Sequence, residues 1–215
     1  MTADKCPVSG ETWKEERVNH WTHVIGLVLS LLGFPVLVVY SIWYGDLWSV
    51  ISFSVYGITL VLLYVASTFY HGCKALDRKG KLRVIDHACI YLLIAGSYTP
   101  FTLGPLRDTN GALLLTIEWG LAAIGILFKV FAFNRFQTLS VIAYLLMGWM
   151  VVFSWPILSA KLTFFPLALL VSGGISYSLG IVFFLWRSLP FNHAIWHLFV
   201  MGGSGCHYGA VLLLI

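Results

Sequence analysis

FNHAIWHLFVMGGSGCHYG, residues 191–209, opens the last apolar stretch of the chain. Within it His193 and His197 stand four apart, so a helix here carries both imidazoles on one face, about a turn from each other. Two imidazoles so placed hold a metal ion only with further ligands from elsewhere. The spacing alone also admits a plainer reading, two histidines wetted at a membrane interface. The choice turns on where the other polar groups of the chain fall.

The surrounding sequence sets the class. Of 215 residues, 59% are hydrophobic and 10% charged, against roughly 25% charged in a soluble domain; mean hydropathy is +0.87. The expected class is all-α: an integral membrane protein with a polar cytoplasmic segment, residues 1–21, and one seven-transmembrane bundle, residues 22–215, without an added soluble domain. Apolar runs close to the ~20 residues a bilayer requires lie at about 22–43, 47–71, 84–104, 111–133, 137–158, 162–186 and 191–215. The first lacks a small-residue cleavage site and reads as a retained helix. The basic stretch CKALDRKGKLR, residues 73–83, separates the second and third runs, and NRFQ, residues 134–137, the fourth and fifth.

Seven helices place Lys5, Lys14, Arg17, Lys74, Arg78, Lys79, Lys81, Arg83, Lys129, Arg135 and Arg187 on one side of the bilayer, and only Arg107 and Lys161 on the other. Eleven against two predicts a cytoplasmic N-terminus and an outside C-terminus. The net charge of +4 then meets anionic lipid headgroups and requires no nucleic-acid partner.

This topology converges the polar groups. His71 closes the second run, Asp86 and His87 open the third, His193 and His197 open the seventh, and His20 and His23 open the first. Six of the seven histidines thus fall at one depth, where ionisable groups are costly and tend to serve a function. Three neutral imidazoles plus a water make an open tetrahedral zinc site. The expected ligands are His71, His193 and His197, with His23 as the rival third ligand. Asp86 would accept a hydrogen bond from a ligand or serve as base for the bound water; its plainer reading is an ion pair with Arg83 or Lys81. Ser67, one turn deeper than His71, would bond the water, the substrate or Asp86, or simply its own helix.

The remaining features read more plainly. His20 and His87 belong at the headgroups. His207 lies about 15 Å along the helix from His197, too far to share its ion, and reads as a buried histidine satisfied by a carbonyl or hydroxyl. Gly205 and Gly209 form a GxxxG, which predicts close helix packing. Four cysteines show no zinc-ribbon spacing, and no disulfide is expected. Glu118 lies inside the fourth run without an evident partner.

STFYH (67–71), IDHACIYLLIAGSYTPF (85–101), WGLAAIGILFK (119–129) and NHAIWH (192–197) together resemble the hemolysin III family, the bacterial branch of the progestin and adipoQ receptor superfamily. The similarity runs from EERVNHWTH onward. The chain looks most like the bacterial inner-membrane members linked to membrane energetics and fatty-acid homeostasis. The resemblance implies seven helices with a cytoplasmic N-terminus, a zinc ion on His71, His193 and His197, and Asp86 and Ser67 as the family's Asp and Ser. Animal members with a long N-terminal extension are linked to ceramide hydrolysis and hormone binding; this chain lacks that extension, so hormone binding is not carried over. Two functions are expected to compete: an intramembrane zinc hydrolase of a lipid amide or ester, and a non-catalytic sensor of lipid or membrane state with a structural zinc. Either takes membrane lipids, fatty acyl or ceramide-like, as partners. A transporter or proton path through His207 and Glu118 is the third class, and it lacks the paired broken helices of many transporters.

Overall fold

The computed structural model describes residues 4–132 and 137–215; the expected break at residues 134–136, Arg135 included, lies outside the described residues. The elements are α1 (Trp13–Tyr44), α2 (Leu47–Gly72), α3 (Leu76–Leu103), α4 (Gly111–Ala132), α5 (Gln137–Gly148), a 3₁₀ turn (Met150–Ser154), α6 (Trp155–Lys161), α7 (Phe164–Leu185) and α8 (Asn192–Leu212). Among the described residues there is no strand, only an isolated bridge between Lys5 and Thr12. Counting α5, the 3₁₀ turn and α6 as one interrupted rod, the described residues fold into seven rods.

Five rods, α1, α2, α4, the interrupted Gln137–Lys161 and α7, are long and apolar enough to cross a membrane. With 28 and 21 residues, α3 and α8 have the length, but their hydropathy is diluted by polar groups: Asp86 and His87 in α3, His193, His197 and His207 in α8. α2 and α3 form the interior, contributing Phe53, Tyr56, Leu60, Leu63, Leu93 and Phe101 to the core. α1, α4, α5 and α7 turn large apolar side chains outward, Leu32, Ile124, Leu146 and Val182 among them, as a lipid-facing surface demands.

The helix starts differ from expectation, for local reasons. α1 begins at Trp13, not near 22, because Thr12 and Glu15 form a capping box: the Thr12 hydroxyl accepts from the Glu15 amide at 3.2 Å, and the Thr12 amide donates to the Glu15 carboxylate at 2.9 Å. α3 begins at Leu76, so most of the basic stretch is helix and only residues 73–75 connect it to α2; Leu, Lys and Arg are good helix formers, and Asp77 complements the helix start. Asp86 therefore lies well inside α3 instead of opening it.

The fifth rod breaks because Gly148 ends α5 and Pro156 cannot donate within a continuing helix. Tyr98 of α3 staples the break: its hydroxyl lies 2.9 Å from the carbonyls of both Met147 and Gly148 and accepts from the Val151 amide at 2.8 Å. Close packing of α7 and α8 uses one glycine of the expected GxxxG and others beside it: a Cβ at Gly209 would come within 3.2 Å of Leu169 of α7. A Cβ at Gly205 would meet nothing within 4 Å, whereas one at Gly203 would come within 2.8 Å of the Tyr177 ring. Gly203 lies against a neighbour, and Gly205 is exposed.

Candidate metal centre

α1, α2 and α8 bring His71, His193 and His197 together at one end of the bundle. Each offers a ring nitrogen, and these nitrogens all lie within 4.8 Å of one another. All three side chains are buried.

The hydrogen bonds fix which nitrogen each histidine presents. His71 Nδ1 lies 2.8 Å from Glu16 Oε2, and a carboxylate only accepts, so Nδ1 carries the proton. His193 Nδ1 faces Glu11 Oε1 at 3.4 Å, a looser version of the same arrangement. His197 Nδ1 lies 2.9 Å from Thr22 Oγ1. That hydroxyl gives its own hydrogen to the Asn19 carbonyl at 2.8 Å, so His197 donates. In His71 and His197 Nε2 is left as a bare lone pair, and the Nε2 atoms of all three rings are buried without a hydrogen-bond partner. Three buried, orphaned ring nitrogens pointed at one another are unfavourable unless something electrophilic joins them. The residues fit a metal ion, and imidazoles held through Nδ1 by oxygen are the usual ligand arrangement.

The other expected residues have other partners. Ser67 Oγ pairs with His23 Nδ1 at 2.5 Å, not with Asp86 and not with its own helix. His23 stacks on His197 with ring centroids 3.4 Å apart and stands outside the set of three, although its Nε2 is also buried without a hydrogen-bond partner. Asp86 is buried; its Oδ2 lies 3.5 Å from His87 Nδ1, a nitrogen that makes its shorter contact, 2.9 Å, with the Arg83 carbonyl. His20 is tied by Nδ1 to the Thr68 carbonyl at 2.9 Å. His207 bonds the Leu170 carbonyl at 3.2 Å, as expected of a satisfied buried histidine. Glu118 is buried, and both its oxygens lack a hydrogen-bond partner. All four cysteines are free.

Sequence reasoning missed the carboxylates of the amino-terminal segment. Glu16 is buried and shared between His71 and Lys79 Nζ, 3.0 Å away. Glu11 accepts from Asn19 Nδ2 at 2.5 Å, and burial, with Glu16 nearby, pushes its carboxyl up to about 7. Residues 4–12 fold back over this end of the bundle. The Cys6 amide bonds the Glu11 carbonyl at 2.7 Å, Gly10 takes the left-handed φ of 82° that only glycine adopts freely, and Arg83 reaches the Val8 carbonyl at 2.8 Å. Glu15 also accepts from the Phe191 amide at 3.0 Å, holding the one non-glycine residue with positive φ among those described and so fixing where α8 begins. The signal lay in TWKEERVNHWTH: a Thr-x-x-Glu capping box, then Glu16, Asn19 and His23 at helical spacing.

Beside the cluster a cavity of about 1230 Å³, its open mouth included, runs between α3, α5, α7 and α8. His23 and Asp86 stand in its wall at the histidine end and His207 farther along α8; Leu93, Ile181 and Val200 represent its apolar lining.

A model of the family described as haemolysin-III related matches residues 11–208. The chain is similar to a hemolysin-3 homolog of Bacillus subtilis, with 46% identity covering 94% of each chain. It is similar to hemolysin-3 of Bacillus cereus, with 45% identity covering 94% of this chain and 92% of the other. The human monocyte to macrophage differentiation factor is 30% identical over 96% of this chain and 88% of its own. No solved structure matches the chain.

Proposed function

The chain belongs to the haemolysin-III-related family of multi-pass membrane proteins, and from that premise we propose that it is a zinc-dependent intramembrane hydrolase of a lipid amide or ester. The observation that carries the reading is the set of three orphaned Nε2 atoms beside a mostly apolar cavity. Three protein nitrogens leave one position of a tetrahedral ion open. The zinc ion would activate water there and polarise a carbonyl.

The protein's own groups divide the remaining work. The apolar wall of the cavity suits an acyl chain. Its histidine end would hold the polar linkage of such a lipid. Asp86, buried in that wall, is the carboxylate available to take a proton from the attacking water and return it to the leaving group. Glu16, Thr22 and Glu11 keep the imidazoles in the tautomer that presents Nε2. With the N-terminus cytoplasmic, as the basic residues favour, the site opens toward the cytoplasmic face of a bacterial inner membrane.

Ser67 favours a second reading. Its hydroxyl is taken by His23 instead of standing free for substrate, as expected if the centre is structural and the cavity merely senses lipid. One experiment separates the two. Purified zinc-loaded protein is offered long-chain ceramides and phospholipids, beside Asp86→Asn. The hydrolase reading expects turnover by the wild type, and a variant that keeps its zinc while losing about 10²–10⁴-fold in rate. Absence of turnover on every lipid, with lipid still retained in the cavity, leaves the sensor.

A further inference from the structure

Resting on the metal reading above, we propose that Glu16 is a positioning residue of the metal centre, setting metal affinity through His71, and that Lys79 is the anchor that holds Glu16 in place. Neither belongs to the ligand set, and both sit where the sequence looks like an interfacial tail and a basic loop.

The three Nδ1 contacts are unequal. Glu16 offers a charged acceptor at 2.8 Å, Thr22 a neutral hydroxyl at 2.9 Å and Glu11 a carboxylate at 3.4 Å. Charge-assisted hydrogen bonds of normal length are roughly twice as strong as neutral ones, so His71 is the most firmly oriented of the three imidazoles. Lys79 explains how a carboxylate is kept there. Its ammonium is fully buried, donates to the Tyr70 carbonyl at 2.7 Å and to Glu16 Oε2 at 3.0 Å, and stands 4.4 Å from the Tyr70 ring centroid. Four residues on α1, α2 and α3 thus spend two opposite charges on the same oxygen that faces His71. A buried ion pair with only a packing role contributes little over apolar replacements and has no need to share that oxygen with an imidazole.

The test measures zinc affinity, by chelator competition, for wild type, Glu16→Gln and the double variant Glu16→Gln/Lys79→Met, with thermal unfolding of the metal-free proteins alongside. Removal of an outer hydrogen-bond partner typically costs about 10–100-fold in metal affinity, and that loss is expected in Glu16→Gln. The double variant removes the stranded lysine charge and guards against misfolding of the single one; it is expected to remain as weak. Recovery of wild-type affinity in the double variant would trace the loss to the unpaired lysine and overturn the proposal, as would wild-type affinity in Glu16→Gln. Wild-type protein that binds no zinc would instead overturn the metal reading beneath it.

Discussion

Removing His197 is the sharpest perturbation of the centre. Structural zinc sites bind with about 10–16 kcal/mol, and shared over four ligands this is about 2.5–4 kcal/mol each, or a loss of affinity of about 10²–10³-fold per ligand. The nearest other ring, His23, is stacked face to face on His197 and held there through Nδ1 by Ser67, so its Nε2 would have to turn away from that bond to take His197's place. His197→Ala, His71→Ala and His193→Ala should each fall from about one zinc per chain to almost none after dialysis against a weak chelator. His23→Ala should keep its zinc and lose only stability, because it breaks a buried hydrogen bond at a cost of about 1–3 kcal/mol. Metal content by elemental analysis on matched detergent preparations reads this directly. A His23→Ala protein that empties while His71→Ala stays full would show that the ligand set has been drawn wrongly.

Two further outcomes are expected. A reporter active only in the cytoplasm should work when fused at the N-terminus and fail at Ile215; activity at both ends would mean an even number of crossings. Tyr98→Phe strips the staple from the break in the fifth rod and strands buried backbone groups, so thermal stability in detergent should drop by about 1–3 kcal/mol with helical content kept, and an unchanged midpoint would show that the break holds itself.

The rods and the gathering of His71, His193 and His197 were legible because long apolar runs and helical spacing are strong signals. A 20-residue apolar run has few alternatives to a helix, and His193 and His197 needed only helical spacing to share a face. What the sequence hid depended on charges counted as solvated. Glu11, Glu16 and Lys79 read as interfacial until the capping box started α1 at Trp13 and the basic stretch became the first turns of α3, which together folded those charges inward. The GxxxG was half right for a related reason: spacing says that Gly205 and Gly209 share a face, but not which neighbour that face meets, and while Gly209 lies against Leu169, it was Gly203 and not Gly205 that Tyr177 came to cover. Gly148 and Pro156 did mark the interrupted rod, but an apolar run scored for length alone passes straight through them.

The centre's parts come from opposite ends of the chain: the orienting oxygens from Glu11, Glu16 and Thr22, one ligand from α2, two from α8. During synthesis at ~5–20 residues per second, α1 precedes α8 by about 10–40 s. Glu16 need not wait uncompensated through that interval, because Lys79 arrives with α3 and neutralises it. His193 and His197 arrive last, and a metal ion captured at that moment would join the first-made helices to the final one, closing a loop of more than half the chain. Such an ion would act as a clasp: its retention would mark a chain whose last helix has docked, and its loss would free α8 from the first-made helices.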